Sequence, residues 1–219
     1  MLDKTIISMM IQGTWATLYM TLVATFAGYI LGLPLGITLA VTDKTGLKPN
    51  AIIYKILDFI VNLTRSIPFL ILLILVMPIT KFIVGKSYGS TATIIPLTIA
   101  AAPFIGRMVE SSLKEVDKGV IEAAQSMGAG MFTIIWKVLL AEARTSLLVG
   151  VTIAIGTVLG YSAMAGVVGG GGLGDIAIRY GYYRYETEIM IVTIVVLVVL
   201  VQILQGLGMM LSKRLDKRR

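Results

Sequence analysis

The 219 residues include neither cysteine nor histidine. Thiolate nucleophiles, disulfides and thiolate metal sites are therefore excluded, and so are imidazole bases, relays and ligands. Most hydrolase and metalloenzyme mechanisms lose their usual residues, and no cofactor or metal is expected. Three groups of residues could still do polar work. The first is a set of carboxylates, Glu110, Glu115, Asp117 and Glu122. The second is the glycine run Gly169-Gly170-Gly171-Gly172 with Gly174. The third is Tyr180, Tyr182, Tyr183 and Tyr185 interleaved with Arg179 and Arg184. The glycine run could suggest a phosphate cradle, but no Lys-Ser or Lys-Thr follows it and no strand is expected before it, so the P-loop pattern fails. A flexible turn that docks a partner or moves during gating, or a plain tight turn, are the readings left. The tyrosines suit a membrane interface, with a docking surface for an acidic external partner as the alternative.

The elements that position these residues follow from composition. The chain is 57% hydrophobic and 14% charged, against about 25% charged in a soluble domain. Its mean hydropathy is +0.90, so its solvent is lipid and membrane lipid is a partner. Stretches free of Asp, Glu, Lys and Arg run over 5–42, 66–80, 87–106, 145–174 and 189–212. A span needs roughly 20 apolar residues, and only a helix satisfies its own backbone within one segment. The pattern predicts an all-α transmembrane fold, one domain over 1–219. Its five spans lie at about 14–42, 66–82, 89–110, 145–167 and 188–212. The first apolar run is too long for a signal-peptide core and is expected to be retained as a span. The second run is short; Pro68 predicts a helix before it, a break near Arg65 to Pro68, and a membrane helix after it. On the first span, Gly28, Gly32 and Gly36 have the small-xxx-small spacing of close helix packing. Thr14, Thr17, Thr21 and Thr25 are read as packing or backbone-bonded.

Basic residues set the orientation. With the C-terminus inside, fourteen of the Lys and Arg residues fall on the inner side: Lys44, Lys48, Lys55, Arg65, Arg107, Lys114, Lys118, Lys137, Arg144, Lys213, Arg214, Lys217, Arg218 and Arg219. Five fall outside: Lys4, Lys81, Lys86, Arg179 and Arg184. The positive-inside rule predicts an outer N-terminus and a cytoplasmic C-terminus. The net charge of +7 is absorbed by these loops, and without a basic groove interleaved with aromatics no nucleic-acid partner is expected.

The loop 111–144 then lies inside, between the third and fourth spans. Its acidic residues, with Glu110, make it wet, yet Met127, Met131, Phe132, Ile134, Ile135 and Trp136 make it too apolar for a solvated linker. Two short amphipathic helices joined at Gly128-Ala129-Gly130 are predicted, with an apolar face that implies a protein partner. Glu122-Ala123-Ala124, then Met127-Gly128-Ala129, then Val138-Leu139-Leu140 resembles the EAA loop of ABC importer permeases. The family often has proline after the leucine pair; Ala141 here leaves the second short helix free to run into the fourth span. The resemblance implies that Glu122, Ala123, Ala124, Met127, Gly128 and Ala129 dock a separate ATPase subunit, present in two copies, where ATP is hydrolysed; the chain itself would be a transport subunit and not an enzyme.

Three further segments, Arg65-Ser66-Ile67-Pro68-Phe69, Ala101-Ala102-Pro103-Phe104 with Arg107 and Glu110, and Gly160-Tyr161-Ser162-Ala163-Met164 leading into the glycine run, are similar to the permeases of methionine importers over nearly the whole chain. That resemblance implies a five-helix permease subunit with cytoplasmic coupling helices, a second copy of itself, an external substrate-binding lipoprotein, methionine or a related small amino acid as cargo, the cell inner membrane as its place, and alternating access as its mode. Thr157, Tyr161, Ser162 and Met164 are the pore candidates, since their span follows the coupling loop directly. No buried ion pair or proton relay is visible in the uncharged runs, which weighs against the alternative of a secondary carrier working without an ATPase. A membrane assembly protein with no transport role is the third reading.

Overall fold

A computed structural model describes residues 4–215, and every regular element among the described residues is helical. Lys217, Arg218 and Arg219, counted above toward orientation, lie outside the described residues.

Helix α1 runs unbroken over Lys4–Thr42, 39 residues or about 58 Å at 1.5 Å per residue. Pro34 sits inside it, and the Thr38 hydroxyl donates to the Pro34 carbonyl at 2.8 Å. The glycine stripe faces α4 (Ser90–Lys114). A Cβ at Gly32 would stand 2.7 Å from the Ala102 carbonyl oxygen, and one at Gly36 would overlap that of Gly106, so α1 and α4 approach at backbone distance. In lipid no hydrophobic force draws helices together, and such close van der Waals contact is what does. Helix α4 occupies the centre of the subunit, with Leu97, Ala101, Ile105 and Val109 all buried.

Helix α2 (Ala51–Ser66) starts at Asn50, whose side chain accepts from the N–H groups of Ile52 and Ile53 at 3.1 Å each, the usual N-cap arrangement. It stops at Ile67. Pro68 has no N–H to extend the ladder and biases the residue before it toward extended backbone, and Ile67 has φ −80° and ψ 124°. The chain turns by 107° into α3 (Phe69–Val84), so the break falls within the segment the proline marked.

After α4 come α5 (Lys118–Ser126), a helical stretch 131–142 comprising α6 (Met131–Thr133), a π-type segment Ile134–Leu139 and α7 (Leu140–Glu142), and then α8 (Arg144–Ala165). Only Ala143 separates this stretch from α8. Beyond α8 the chain reverses through the glycine run into α9 (Gly172–Ile176) and a second π-type segment, Ala177–Tyr182. The run is not a flexible exposed turn. Gly166 and Gly174 pack backbone to backbone, Gly174 abuts the Ala163 carbonyl, and Gly172 leaves no room beside Thr17. Three bonds fasten the run: Gly89 N–H donates to Gly169 O at 2.9 Å, the Thr93 hydroxyl reaches Gly170 O at 3.3 Å, and Leu173 N–H donates to Thr17 Oγ1 at 2.9 Å. Helix α10 (Thr187–Leu215) packs on α8 and α9, burying Ile189 and Leu200 with Leu159, Leu173 and Ile176.

Four helical segments, α1, α4, 144–182 and α10 up to Arg214, are long and apolar enough to cross a membrane; α2 and α3 make a fifth if the bent pair is one broken span.

Candidate functional site

The segment singled out by its Glu-Ala-Ala sequence projects from the end of the bundle where α1 and α4 finish and α8 begins. Asp117 caps α5 by accepting from Gly119 N–H at 2.7 Å. At the other end Gly128 takes φ 79°, a left-handed conformation that glycine adopts without a Cβ penalty. Its N–H donates to Gln125 O at 2.9 Å, and that of Ala129 to Ala124 O at 3.0 Å, so the last carbonyls of α5 are satisfied and the turn is closed. Ala124 is buried with Val116, Ile134 and Leu139; a larger side chain there would lift α5 from its seat. Glu122, Ala123 and Gly128 are exposed, and Ala129 is half-buried. Met127 is 81% exposed.

The structure divides the apolar residues of this loop into two sets. Ile134 and Leu139 root it in the core, whereas Met127, Met131, Phe132 and Trp136 stay exposed. The Phe132 and Trp136 rings lie 5.9 Å apart. An apolar surface of this kind at a loop tip marks a protein contact, and Met with aromatic residues is the composition of interface anchors. All six are apolar in the sequence, which by itself does not separate those that face out from those that face in. Beside α5 lies a cavity of about 290 Å3 whose lining includes Asp43, Leu47, Lys114, Lys118, Glu122 and Gln125, which places Glu122 next to the α1–α2 connection.

An ion-pair chain below this cavity was missed by sequence reasoning. Glu110 is not wet: its side chain is 3% exposed and pairs with Arg107 at 2.6 Å and Lys114 at 2.7 Å. Arg107 also pairs with Asp58 and donates to Asn62 Oδ1 at 3.0 Å. Lys114 reaches Asp43 at 2.9 Å, and the Tyr54 hydroxyl donates to Glu110 Oε1 at 3.1 Å. The expectation of no buried ion pair is thereby corrected. The uncharged run of this span ends at Gly106, and Glu110 lies just past it. The spacing of Arg107, Glu110 and Lys114, i, i+3 and i+7 on one helix face, was the signal available. Asp43, in the loop, has its carboxyl held down to about 2, first by the Thr45 backbone N–H and then by the Lys114 ammonium.

The pore candidates on α8 do not share one face. Thr157 is half-buried with its hydroxyl on Ile153 O at 3.0 Å. The Tyr161 ring stacks on Phe69 at 4.5 Å and 4°. Met164, near the end of α8, is half exposed, as are Ile153 three turns earlier and Val167 just beyond the helix. Ser162 turns into the subunit, buried, with its hydroxyl on Leu159 O at 2.7 Å.

Over 210 residues the chain is 53% identical to a protein of Vibrio cholerae described as a probable D-methionine transport system permease protein MetI, covering 96% of this chain and 93% of that one. Over 158 residues it is 51% identical to the D-methionine transport system permease protein MetI of Yersinia pestis, covering 72% and 73%. Among solved structures, a chain of the MetNI methionine ABC transporter in inward-facing conformations superposes with a TM-score of 0.96 at 45% identity, covering 98% of this chain and all of that one. An amino acid ABC transporter matches with a TM-score of 0.79 at 21% identity, a likeness of fold alone. Residues 32–217 match the family model of binding-protein-dependent transport system inner membrane components, and the chain belongs to that family.

Proposed function

We propose that this chain is the permease subunit of an ATP-driven importer that carries methionine across the inner membrane, with ATP hydrolysed on a separate chain. The observation that carries the reading is the α5 loop: a short helix rooted through Ala124 and closed at Gly128, followed by a helical stretch 131–142, with Met127, Met131, Phe132 and Trp136 of the loop exposed. A rigid, apolar projection can receive a push from a docked partner, and helix-in-groove docking is a common recognition mode. The names of the relatives, D-methionine transport permeases and a methionine ABC transporter, support methionine as cargo.

In this proposal the chain crosses the membrane five times, with α2 and α3 as one broken span. The N-terminus is outside and the α5 loop and C-terminus are cytoplasmic. Two copies pair around a translocation path, each bearing one ATPase subunit, and an external binding protein delivers substrate. Thr157, Tyr161 and Met164, spaced i, i+4 and i+7 along α8, line the path; Ser162 braces that helix from behind. Energy enters as the different affinities of the ATPase pair for inward- and outward-open permease, so no chemistry occurs on this chain.

Deleting residues 122–128 should abolish co-purification of the ATPase subunit while leaving membrane insertion intact. Normal co-purification from that deletion would sink the coupling role. Methionine uptake that persists after ATP depletion, with the proton gradient intact, would instead make the chain a secondary carrier.

A further inference from the structure

Helix α2 poses a question of attachment. Within the subunit it buries Val61 alone, and Ile52, Ile56, Phe59 and Leu63 are all more than half exposed. Apolar packing therefore does little to hold α2 to α4, and in lipid such packing has no hydrophobic drive behind it. Its hydrogen bonds and ion pairs to α4 converge on one side. Tyr54 meets Glu110, while Asp58 and Asn62 meet Arg107. Lys114 extends the set to Asp43 at the start of the α1–α2 connection and lies 5.3 Å above the Tyr54 ring. Glu110 is the buried centre, and removing one partner from a buried pair is costly because the other charge is left uncompensated.

Resting on the transport reading above, the geometry points to an electrostatic clasp: Arg107, oriented by buried Glu110, fastens α2 through Asp58 and Asn62 so that α2 moves as one body with α4 during the transport cycle. Asp58, Arg107 and Glu110 are positioning residues in this role. Lys114 is the last residue of α4, and Asp117, the cap of α5, follows three positions later. A displacement of α5 thus reaches the clasp directly. Its far end is the 107° break between α2 and α3, a joint where a moving α2 can change angle against α3. There Phe69 begins α3 and stacks on Tyr161 of α8, so the clasp links the ATPase-facing segment to the helix proposed to line the path.

The chain has no cysteine, so the clasp can be replaced by a covalent one. The full complex of permease, ATPase and binding protein in proteoliposomes is tested for methionine taken up per ATP hydrolysed. Asp58 is about a third exposed, and Asp58→Asn leaves Glu110 with both its cations, so that variant should assemble. Its uptake per ATP should fall roughly fivefold or more, the size of a typical coupling between distant sites. The pair Asp58→Cys with Arg107→Cys should be similarly uncoupled, and joining the two thiols with a short bis-maleimide should restore the ratio, which a merely structural role would not do. A wild-type ratio in Asp58→Asn would overturn the clasp. So would loss of the remaining uptake on joining the thiols, since that outcome means α2 must leave α4 in each cycle. If the unsubstituted complex takes up methionine without ATP, the transport reading itself fails, a result separable from either of these.

Discussion

At the scale of single residues, Ala124 and Met127 are three positions apart yet differ in burial, one buried in the seat of α5 and the other, at the end of the helix, 81% exposed. Ala124→Leu overpacks the seat of α5 and should cost about 1–3 kcal/mol, seen as a lower unfolding temperature in detergent together with weaker ATPase binding. Met127→Ala removes only exposed surface, so the unfolding temperature should stay within the roughly ±0.5 kcal/mol of ordinary surface changes while ATPase affinity drops. If both variants lost stability alike, Met127 would belong to the fold and not to the docking face. Asp43 gives a pH statement. Its carboxyl is lowered from 3.8 to about 2, chiefly by Thr45 and then Lys114. A lowered carboxylate contributes stability that is complete above its unfolded value and is lost as pH falls through the folded one. The tie between the α1–α2 connection and α4 should therefore be fully present above about pH 4 and vanish toward pH 2. Asp43→Asn should remove it at neutral pH, read as faster proteolysis of the loop at Lys44 and Lys48.

At the scale of elements, the break between α2 and α3 rests on one proline. Pro68→Ala restores an N–H and relieves the restriction on Ile67, so the two helices should straighten toward one another. Spin labels placed on α2 and α3 in the naturally cysteine-free chain should report a longer separation in that variant; an unchanged distance would mean that packing of Phe69 against Tyr161, and not the proline, sets the angle. Much at this scale was legible beforehand. The uncharged runs marked where apolar helices lie, Pro68 marked a stop, and Gly28, Gly32 and Gly36 announced a close approach because only backbone can fill that distance. The π-type segments Ile134–Leu139 and Ala177–Tyr182 were not legible. Each covers only 6 residues, too few for a changed period to show in the apolar pattern, and no residue type reports it.

At the scale of the whole molecule, the charge distribution and the fold make a joint statement about sidedness. Cysteine introduced at Gly130, beside α5, should react with an impermeant maleimide only in inside-out vesicles, and cysteine at Tyr183 only in intact spheroplasts. The reverse pattern would overturn the proposed orientation and separate the α5 loop from any cytoplasmic ATPase. The sequence by itself determined the lipid environment, the helical class, the apolar runs and the family motif, because these depend on composition and local spacing, which bury or expose whole segments at once. Only the tertiary structure decided that Glu110 is buried where α2 meets α4, that the glycine run is a packed reversal and not a free turn, and that the face of α8 bearing Ser162 is the buried one. Each of those depends on which helix stands opposite, and neighbours distant in the chain leave no periodic mark on the residues they touch.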